Sequence, residues 1–214
     1  MSVRLRLMGM GLVLFVATVF AYARNMPWHW LTCTALGFSW LGDAMLLRYP
    51  PIVGRTRDPL TLGMGAFALA QVAYVVAFAW SLSAMPGLHT KVPGMLLGKD
   101  LIGSLLPVFL LFGVLCWVLL VFRTQQGRAV KVAVLLYGEL LCAMAAYATA
   151  AAFTGVNLVW SLPLGGILFI ISDGVIAAHT FQGRFANEKR YEIIVWATYV
   201  PAQLLLLLGM SLLH

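Results

Sequence analysis

Long apolar stretches separated by short polar connections dominate this chain. A helix needs about 20 predominantly apolar residues, and no fewer than about 17, to cross a bilayer. Stretches that meet this requirement occupy roughly residues 7–23, 28–47, 60–82, 101–122, 132–153, 156–179 and 192–213. The pattern predicts an all-α fold, a polytopic membrane helical bundle of about seven transmembrane helices. We expect one integral membrane domain over 1–214, because no polar block is long enough to fold separately.

Composition supports a membrane protein. Of the 214 residues, 62% are hydrophobic and 10% are charged, whereas a soluble domain has about 25% charged residues. Cys33, Cys116 and Cys142 lie within apolar stretches without CxxC spacing, so we interpret them as buried hydrophobic residues. The net charge of +7 does not indicate a nucleic-acid partner, because basic residues of membrane proteins collect in cytoplasmic loops near anionic headgroups.

The distribution of basic residues predicts the orientation. One side of the predicted bundle carries Arg4, Arg6, Arg48, Arg55, Arg57, Arg123, Arg128, Lys131, Arg184, Lys189 and Arg190. The other side carries Arg24, Lys91 and Lys99. The positive-inside rule therefore places the N-terminus in the cytoplasm and the C-terminus outside. We expect the membrane to be a bacterial plasma membrane. The first stretch also fits a cleaved signal peptide, with Ala21-Tyr22-Ala23 as the cleavage site; we favour its retention as a helix.

Acidic residues inside three apolar stretches are the main candidates for chemistry. Asp43, Asp173 and Glu139 would lie about 6 Å, 9 Å and 10 Å from the cytoplasmic ends of their helices at the standard helical rise. A carboxylate in the hydrocarbon region costs several kcal/mol unless protein, water or a partner surrounds it. The common depth of the three acids therefore predicts a functional layer in the cytoplasmic half of the membrane.

Each acid also has a structural interpretation. Asp43 has Arg48 nearby for an ion pair, Asp173 has hydroxyl groups that can donate to it, and Glu139 follows the basic residues Arg128 and Lys131. The histidines are scattered, with no HExxH motif, and there is no P-loop, GxSxG or dinucleotide-binding motif. We therefore expect neither a metal nor a cofactor.

Several short motifs on separate predicted helices resemble those of one known family. The motifs are Ser39-x-x-Gly42-Asp43, Gly63-x-Gly65, Gln71-x-x-Tyr74, Tyr137 with Met144, Leu168-Phe169-x-x-Ser172-Asp173 and Tyr199-x-x-Ala202-Gln203. From about residue 30 to 205 the chain resembles the YhhN-type lysoplasmalogenases. That family usually has eight spans, and the first of them has no counterpart among the seven predicted here. Glu139 is not part of the family pattern.

The resemblance implies an activity and a catalytic pair. The activity is hydrolysis of the vinyl ether bond of lysoplasmalogens, which gives a fatty aldehyde and glycerophospho-choline or glycerophospho-ethanolamine. Asp43 and Asp173 match the two aspartates of the family motifs. We assign Asp173, the deeper acid, as proton donor and Asp43 as the ionised group, although the two roles are interchangeable. The predicted supporting residues are Ser39, Gln71, Tyr74, Tyr137, Glu139, Ser172, Tyr199 and Gln203.

Two other functions fit a layer of intramembrane acids. The first is a proton-coupled transporter of small molecules or lipids, because such acids also form proton relays. Transporters often contain inverted repeats and broken helices, and neither is evident in this sequence. The second is a structural scaffold, which leaves the acids without a purpose. The sequence does not indicate an oligomeric state.

Overall fold

The computed structural model describes residues 3–49, 58–84, 98–153 and 159–213, apart from the side chains of 3–5 and 98–100. Every regular element in these ranges is a helix. The helices are α1 (Val3–Arg24), α2 (Pro27–Leu46), α3 (Pro59–Ala84), α4 (Gly98–Trp117), α5 (Arg128–Ala152), α6 (Ser161–Gln182) and α7 (Glu188–Leu212). The prediction of an all-α membrane bundle is confirmed.

The boundaries agree with the apolar pattern to within a few residues. The α4 helix ends in a π-helical turn, Val118–Phe122, so the helical path reaches the predicted end at residue 122. The α6 helix begins at Ser161, five residues after the predicted start at 156, and residues 156–158 lie outside the described ranges. The predicted loop residues Arg55, Arg57 and Lys91 also lie outside them.

Six of these helices are long and apolar enough to cross a membrane, and α2 is the exception. The α2 helix has 20 residues, which is sufficient length. Polar side chains at His29, Thr32, Ser39 and Asp43 reduce its apolar character, and all four are buried. Its polar residues therefore face protein, as the cost of exposing them to lipid requires.

The chain divides into two compact units, Met1–Trp80 and Ser81–His214; the single domain that the sequence predicted stays a prediction. In the first unit, α1 contacts α2, where the indole N–H of Trp40 donates to the carbonyl of Leu7 at 3.0 Å. The α2 and α3 helices meet at small residues. A Cβ atom at Gly42 would lie 2.7 Å from the ring of Phe67, so this contact needs glycine.

In the second unit, α4, α5, α6 and α7 pack in chain order. Small residues again allow close contact: a Cβ atom at Gly166 would lie 3.0 Å from the Cα atom of Ala145 on α5. At one end of the unit, Gln182 donates to the carbonyls of Leu119 and Leu120 in the π-helical turn, at 2.7 and 3.1 Å. These bonds join the end of α6 to the end of α4, so the loops that follow the two helices lie on the same side of the unit.

Candidate active site

The first group of predicted site residues lies where α2 packs on α3. Ser39 and Asp43 are one helical turn apart on the buried face of α2, with exposed fractions of 0% and 6%. Asp43 is followed by the exposed Arg48, whose backbone has a positive φ of 51°. Burial places the carboxyl of Asp43 inside the first unit, so it does not face lipid.

The partner face of α3 repeats every three or four residues. Phe67, Gln71, Tyr74 and Phe78 lie on this face, and all four are buried. The rings of Tyr74 and Phe78 stack with their centroids 6.0 Å apart and an interplanar angle of 13°. This face therefore carries a polar amide and a phenol next to apolar aromatic side chains.

The contacts at two glycines fix the register between α2 and α3. Gly42 lies against Phe67, and Gly63 lies against Leu46, so the helices run antiparallel. This register places Gln71 close to the level of Ser39 and about one and a half turns, or about 8 Å, from the level of Asp43. We call Ser39, Asp43, Gln71 and Tyr74 the unit-1 cluster.

The amide of Gln71 is the unusual member of the unit-1 cluster. Its side chain is fully buried, with an exposed fraction of 0%. Neither its oxygen nor its nitrogen has a hydrogen-bond partner within the part of the chain that the structure describes. An unsatisfied buried amide costs about 1–3 kcal/mol, so this position is not explained by stability.

The second group of predicted residues lies where α5 packs on α6. The hydroxyl of Tyr137 donates a hydrogen bond to the Oδ2 atom of Asp173. The antiparallel register that brings Gly166 against Ala145 also brings these two residues together. Asp173 is partly buried, and among the residues described it forms no ion pair with a base. A carboxyl in these surroundings is well suited to holding a proton, because no cation compensates its charge.

Helix α7 completes this second group. Ser172 donates through its hydroxyl to the carbonyl of Val195 at 3.5 Å. Tyr199 is buried and packs edge-on against Phe169, with ring centroids 5.5 Å apart. It therefore lies about one turn from the level of Asp173. We call Tyr137, Ser172, Asp173 and Tyr199 the unit-2 cluster.

Two predicted supporting residues lie outside the unit-2 cluster. Gln203 is fully buried, but the α6–α7 register places it about two turns, or about 12 Å, from the level of Asp173. Glu139 is two residues from Tyr137 and therefore faces the opposite side of α5. A Cβ atom at Gly113 of α4 would lie 2.7 Å from its Oε1 atom.

Glu139 is also not paired with the basic residues that precede it. Its Oε1 atom is buried without a hydrogen-bond partner in the described ranges. The ammonium group of Lys131 instead donates to the carbonyl of Phe122 at 2.8 Å. The sequence placed Glu139 in the same layer as the two aspartates, and depth alone does not reveal that it faces another helix.

One contact near the unit-2 cluster was not anticipated. His179 stacks on Tyr191 with ring centroids 3.9 Å apart. Its Nδ1 atom lies 3.0 Å from the carbonyl of Arg184, and its Nε2 atom lies 3.6 Å from a carboxylate oxygen of Glu188. These contacts close the α6–α7 turn about one and a half turns beyond Asp173. The sequence did not predict this arrangement, because a single histidine at a helix end is not part of a recognisable motif.

The comparisons with known proteins agree with the motifs. The model of the YhhN family matches residues 5–210. Lysoplasmalogenase TMEM86B of Rattus norvegicus is 31% identical over 198 residues, which cover 92% of this chain and 67% of the relative. Lysoplasmalogenase TMEM86B of Mus musculus is 30% identical over 196 residues, covering 91% and 69%. No solved structure gives a significant match.

Proposed function

This chain belongs to the YhhN family, and we propose that it is a lysoplasmalogenase that uses Asp43 and Asp173 as its catalytic carboxylates. The relatives that it matches over most of their length carry that name. The observation that supports the chemistry is the carboxyl of Asp173, which is held by Tyr137 in a helical bundle and has no basic partner in the described residues.

The reaction is an addition of water across a vinyl ether. Asp173 transfers its proton to the β-carbon of the double bond, and the α-carbon becomes an oxocarbenium ion. Water attacks that carbon and gives up a proton to a carboxylate, and a hemiacetal forms. The carboxylic acid formed in that step then protonates the glycerol oxygen, and the other carboxylate accepts the hydroxyl proton of the hemiacetal. Cleavage of the bond between the glycerol oxygen and the former α-carbon releases a fatty aldehyde and glycerophospho-choline or glycerophospho-ethanolamine. Two carboxylic groups in different protonation states supply both the acid and the negative charge, as in glycoside hydrolysis.

The hydrogen bond to Asp173 supports an assignment of the two roles. Tyr137 donates to Oδ2 of Asp173 and leaves Oδ1 to carry the proton that is transferred. Asp43 is the group that stays ionised, stabilises the cation and accepts the proton of the attacking water. Ser39 lies one turn from Asp43 on the same buried face, so we assign its hydroxyl to orienting that carboxylate or the water.

The substrate is a lysophospholipid within a membrane. We propose that its apolar chain lies among the helices and that its headgroup points to the cytoplasmic side. Exposed arginines at helix ends are suited to its phosphate: Arg48, Arg123 and Arg184.

We also propose the orientation given by the basic residues, with a cytoplasmic N-terminus and an external C-terminus in a bacterial plasma membrane. The bonds from Gln182 to the π-helical turn support it, because they place two of the basic loops on one side of the second unit.

A substrate panel tests the function. The purified chain is incubated in turn with 1-alkenyl, 1-alkyl and 1-acyl lysophospholipids, and the products are measured by mass spectrometry. We expect a fatty aldehyde from the alkenyl lipid alone, because only a vinyl ether is protonated on carbon. Release of a fatty acid from the acyl lipid, without any aldehyde from the alkenyl lipid, would contradict the proposal.

Transport is the alternative function, and the hydrolase name of the relatives does not favour it. Reconstituted vesicles distinguish the two functions. A lysoplasmalogenase forms aldehyde in vesicles without any ion gradient, whereas a proton-coupled transporter moves its substrate unchanged and responds to the gradient. Gradient-dependent flux without any product would replace the proposal with transport.

A further inference from the structure

The buried amide of Gln71 has no role in the reaction steps above, and the packing around it does not explain why a polar residue occupies this position. Both ends of the amide lack hydrogen-bond partners in the described residues, although the side chain is completely buried. Gln203 on α7 is also fully buried, but it does have an interaction. A glutamine that donates to nothing and accepts from nothing is less stable there than leucine or methionine, by about the cost of an unsatisfied amide.

The chemistry of an amide restricts what can satisfy it. The oxygen of Gln71 needs a donor, and its NH₂ group needs an acceptor. The ether oxygen of a lysoplasmalogen only accepts, its phosphate only accepts, and its double bond does neither strongly. The hydroxyl on the central glycerol carbon both donates and accepts, so it is the one group of the substrate that satisfies both ends of the amide.

The position of the amide fits this group. Gln71 is close to the level of Ser39 and about one and a half turns from the level of Asp43. The hydroxyl-bearing carbon of the substrate is bonded to the carbon that carries the vinyl ether. A hydroxyl bound at Gln71 therefore holds the reacting ether close to the level of the carboxylate.

We propose that the amide of Gln71 binds the free hydroxyl on the central glycerol carbon of the substrate and so selects lyso lipids over lipids that are acylated at that carbon. This inference rests on the proposed function and deepens it. An acylated lipid has no donor for the amide oxygen, and it leaves that oxygen unsatisfied. A site that hydrogen-bonds a substrate hydroxyl discriminates strongly against analogues that lack it.

A binding experiment tests the proposal without relying on hydrolysis. The probes are a saturated 1-alkyl glycerophosphocholine, whose ether is not cleaved, and its counterpart with hydrogen in place of the central hydroxyl. Dissociation constants are measured by calorimetry on the full chain in nanodiscs. We expect the native chain to bind the hydroxyl lipid about 10- to 100-fold more tightly, and Gln71→Leu to bind both lipids about equally.

A stability measurement separates recognition from a structural role. Gln71→Leu removes an unsatisfied buried amide, so we expect its melting temperature without ligand to equal or exceed that of the native chain. Gln71→Met provides the same test with an unbranched side chain in case leucine does not fit. Gln182→Leu is the matched control: it removes the bonds to Leu119 and Leu120, so it should lower the melting temperature and leave the ratio of affinities unchanged.

Two results would overturn the inference. The first is equal affinity of the native chain for the two lipids, or no binding of either. The second is a preference for the hydroxyl lipid that persists in both Gln71 variants. Neither result depends on catalysis, so the proposed function is judged separately from aldehyde release by the native chain.

Discussion

The unit-1 and unit-2 clusters share a sequence feature but have different surroundings. Each contains an aspartate and a serine on the same helix, with Ser39 four residues before Asp43 and Ser172 directly before Asp173. Asp43 is 6% exposed and lies in a packed face with a glutamine that has no hydrogen-bond partner in the described residues, whereas Asp173 is partly buried and receives a hydrogen bond from Tyr137. The two clusters are therefore suited to different steps. The unsatisfied amide of the unit-1 cluster can bind a polar group of a ligand, and the carboxyl that accepts a hydrogen bond from Tyr137 can transfer a proton.

Replacing either aspartate has the largest expected effect. Asp43→Asn and Asp173→Asn keep the size of the side chain but remove its ability to exchange a proton. We expect each to reduce aldehyde formation by about 10²- to 10⁴-fold, with an unchanged helical circular dichroism spectrum. Near-native turnover by either variant would show that only one cluster carries the chemistry.

The double variant sharpens the same comparison. If the two carboxylates act in one reaction, their effects are not additive. Asp43→Asn combined with Asp173→Asn should therefore be about as slow as the slower single variant. Rates that multiply would indicate that the two clusters contribute independently.

The phenol of Tyr137 has the next largest expected effect. Tyr137→Phe removes the hydrogen bond to Asp173 while it keeps the ring. We expect kcat to fall by roughly tenfold, which corresponds to the loss of one hydrogen bond of about 1–1.5 kcal/mol in the transition state. Tyr147→Phe serves as the control, because Tyr147 lies on the same helix but ten residues, or about 15 Å, from Tyr137. An equal loss in both variants would indicate a packing effect on α5.

The glycines beside the two aspartates allow a comparison of packing. A Cβ atom at Gly42 would lie 2.7 Å from Phe67, whereas one at Gly174 would meet nothing within 4 Å. We expect Gly42→Ala to destabilise the protein by about 1–3 kcal/mol. Gly174→Ala should be neutral or stabilising by about 0.5–1 kcal/mol, because alanine is the better helix former. Denaturation monitored by tryptophan fluorescence measures both, and equal effects would contradict the tight contact at Gly42.

The smallest effect is expected at Asp58, just before α3. Its carboxylate accepts a hydrogen bond from the backbone N–H of Thr61 at 3.1 Å and caps the helix. Hydrogen bonds from the side chain and backbone of Thr61 lower the pKa of Asp58. Because the pKa is lower in the folded state, the stabilisation is present above the unfolded pKa of about 3.9 and is lost as the pH falls through the folded value.

Asp58→Asn therefore provides a reference outside both clusters. We expect a slightly lower melting temperature near neutral pH, a difference that shrinks in acid, and an aldehyde-release rate within about twofold of the native rate, a margin well below the range expected for a proton-transfer residue. A large loss of activity at Asp58 would undermine the assignment of the chemistry to the two clusters.

The sequence was sufficient for the helices, because their signal is local. An apolar run of about 20 residues has few alternatives to a transmembrane helix. Each predicted stretch contains a helix within the described residues, and even the end at residue 122 was found, although the last turn there is π-helical. The start of α6 was placed too early, since the apolar run extends into the segment before Ser161.

The site was predicted in part. The motifs identified the aspartates and the residues around them, and helical depth placed Glu139 in the same layer. Depth describes position along a helix, but it does not describe the direction of a side chain relative to neighbouring helices. For that reason Tyr137 and Glu139, two residues apart, were predicted together but lie on opposite sides of α5.

By itself, the sequence determined the all-helical membrane fold and the family, because hydropathy and short motifs are local properties of the chain. It also selected two aspartates as candidates for the catalytic pair. Only the tertiary structure decided which side chains meet. The register of α5 on α6 brings Tyr137 to Asp173, and the register of α2 on α3 places Gln71 close to the level of Ser39. Each register depends on close contacts at glycines such as Gly42 and Gly166, and these contacts join residues that are distant in sequence.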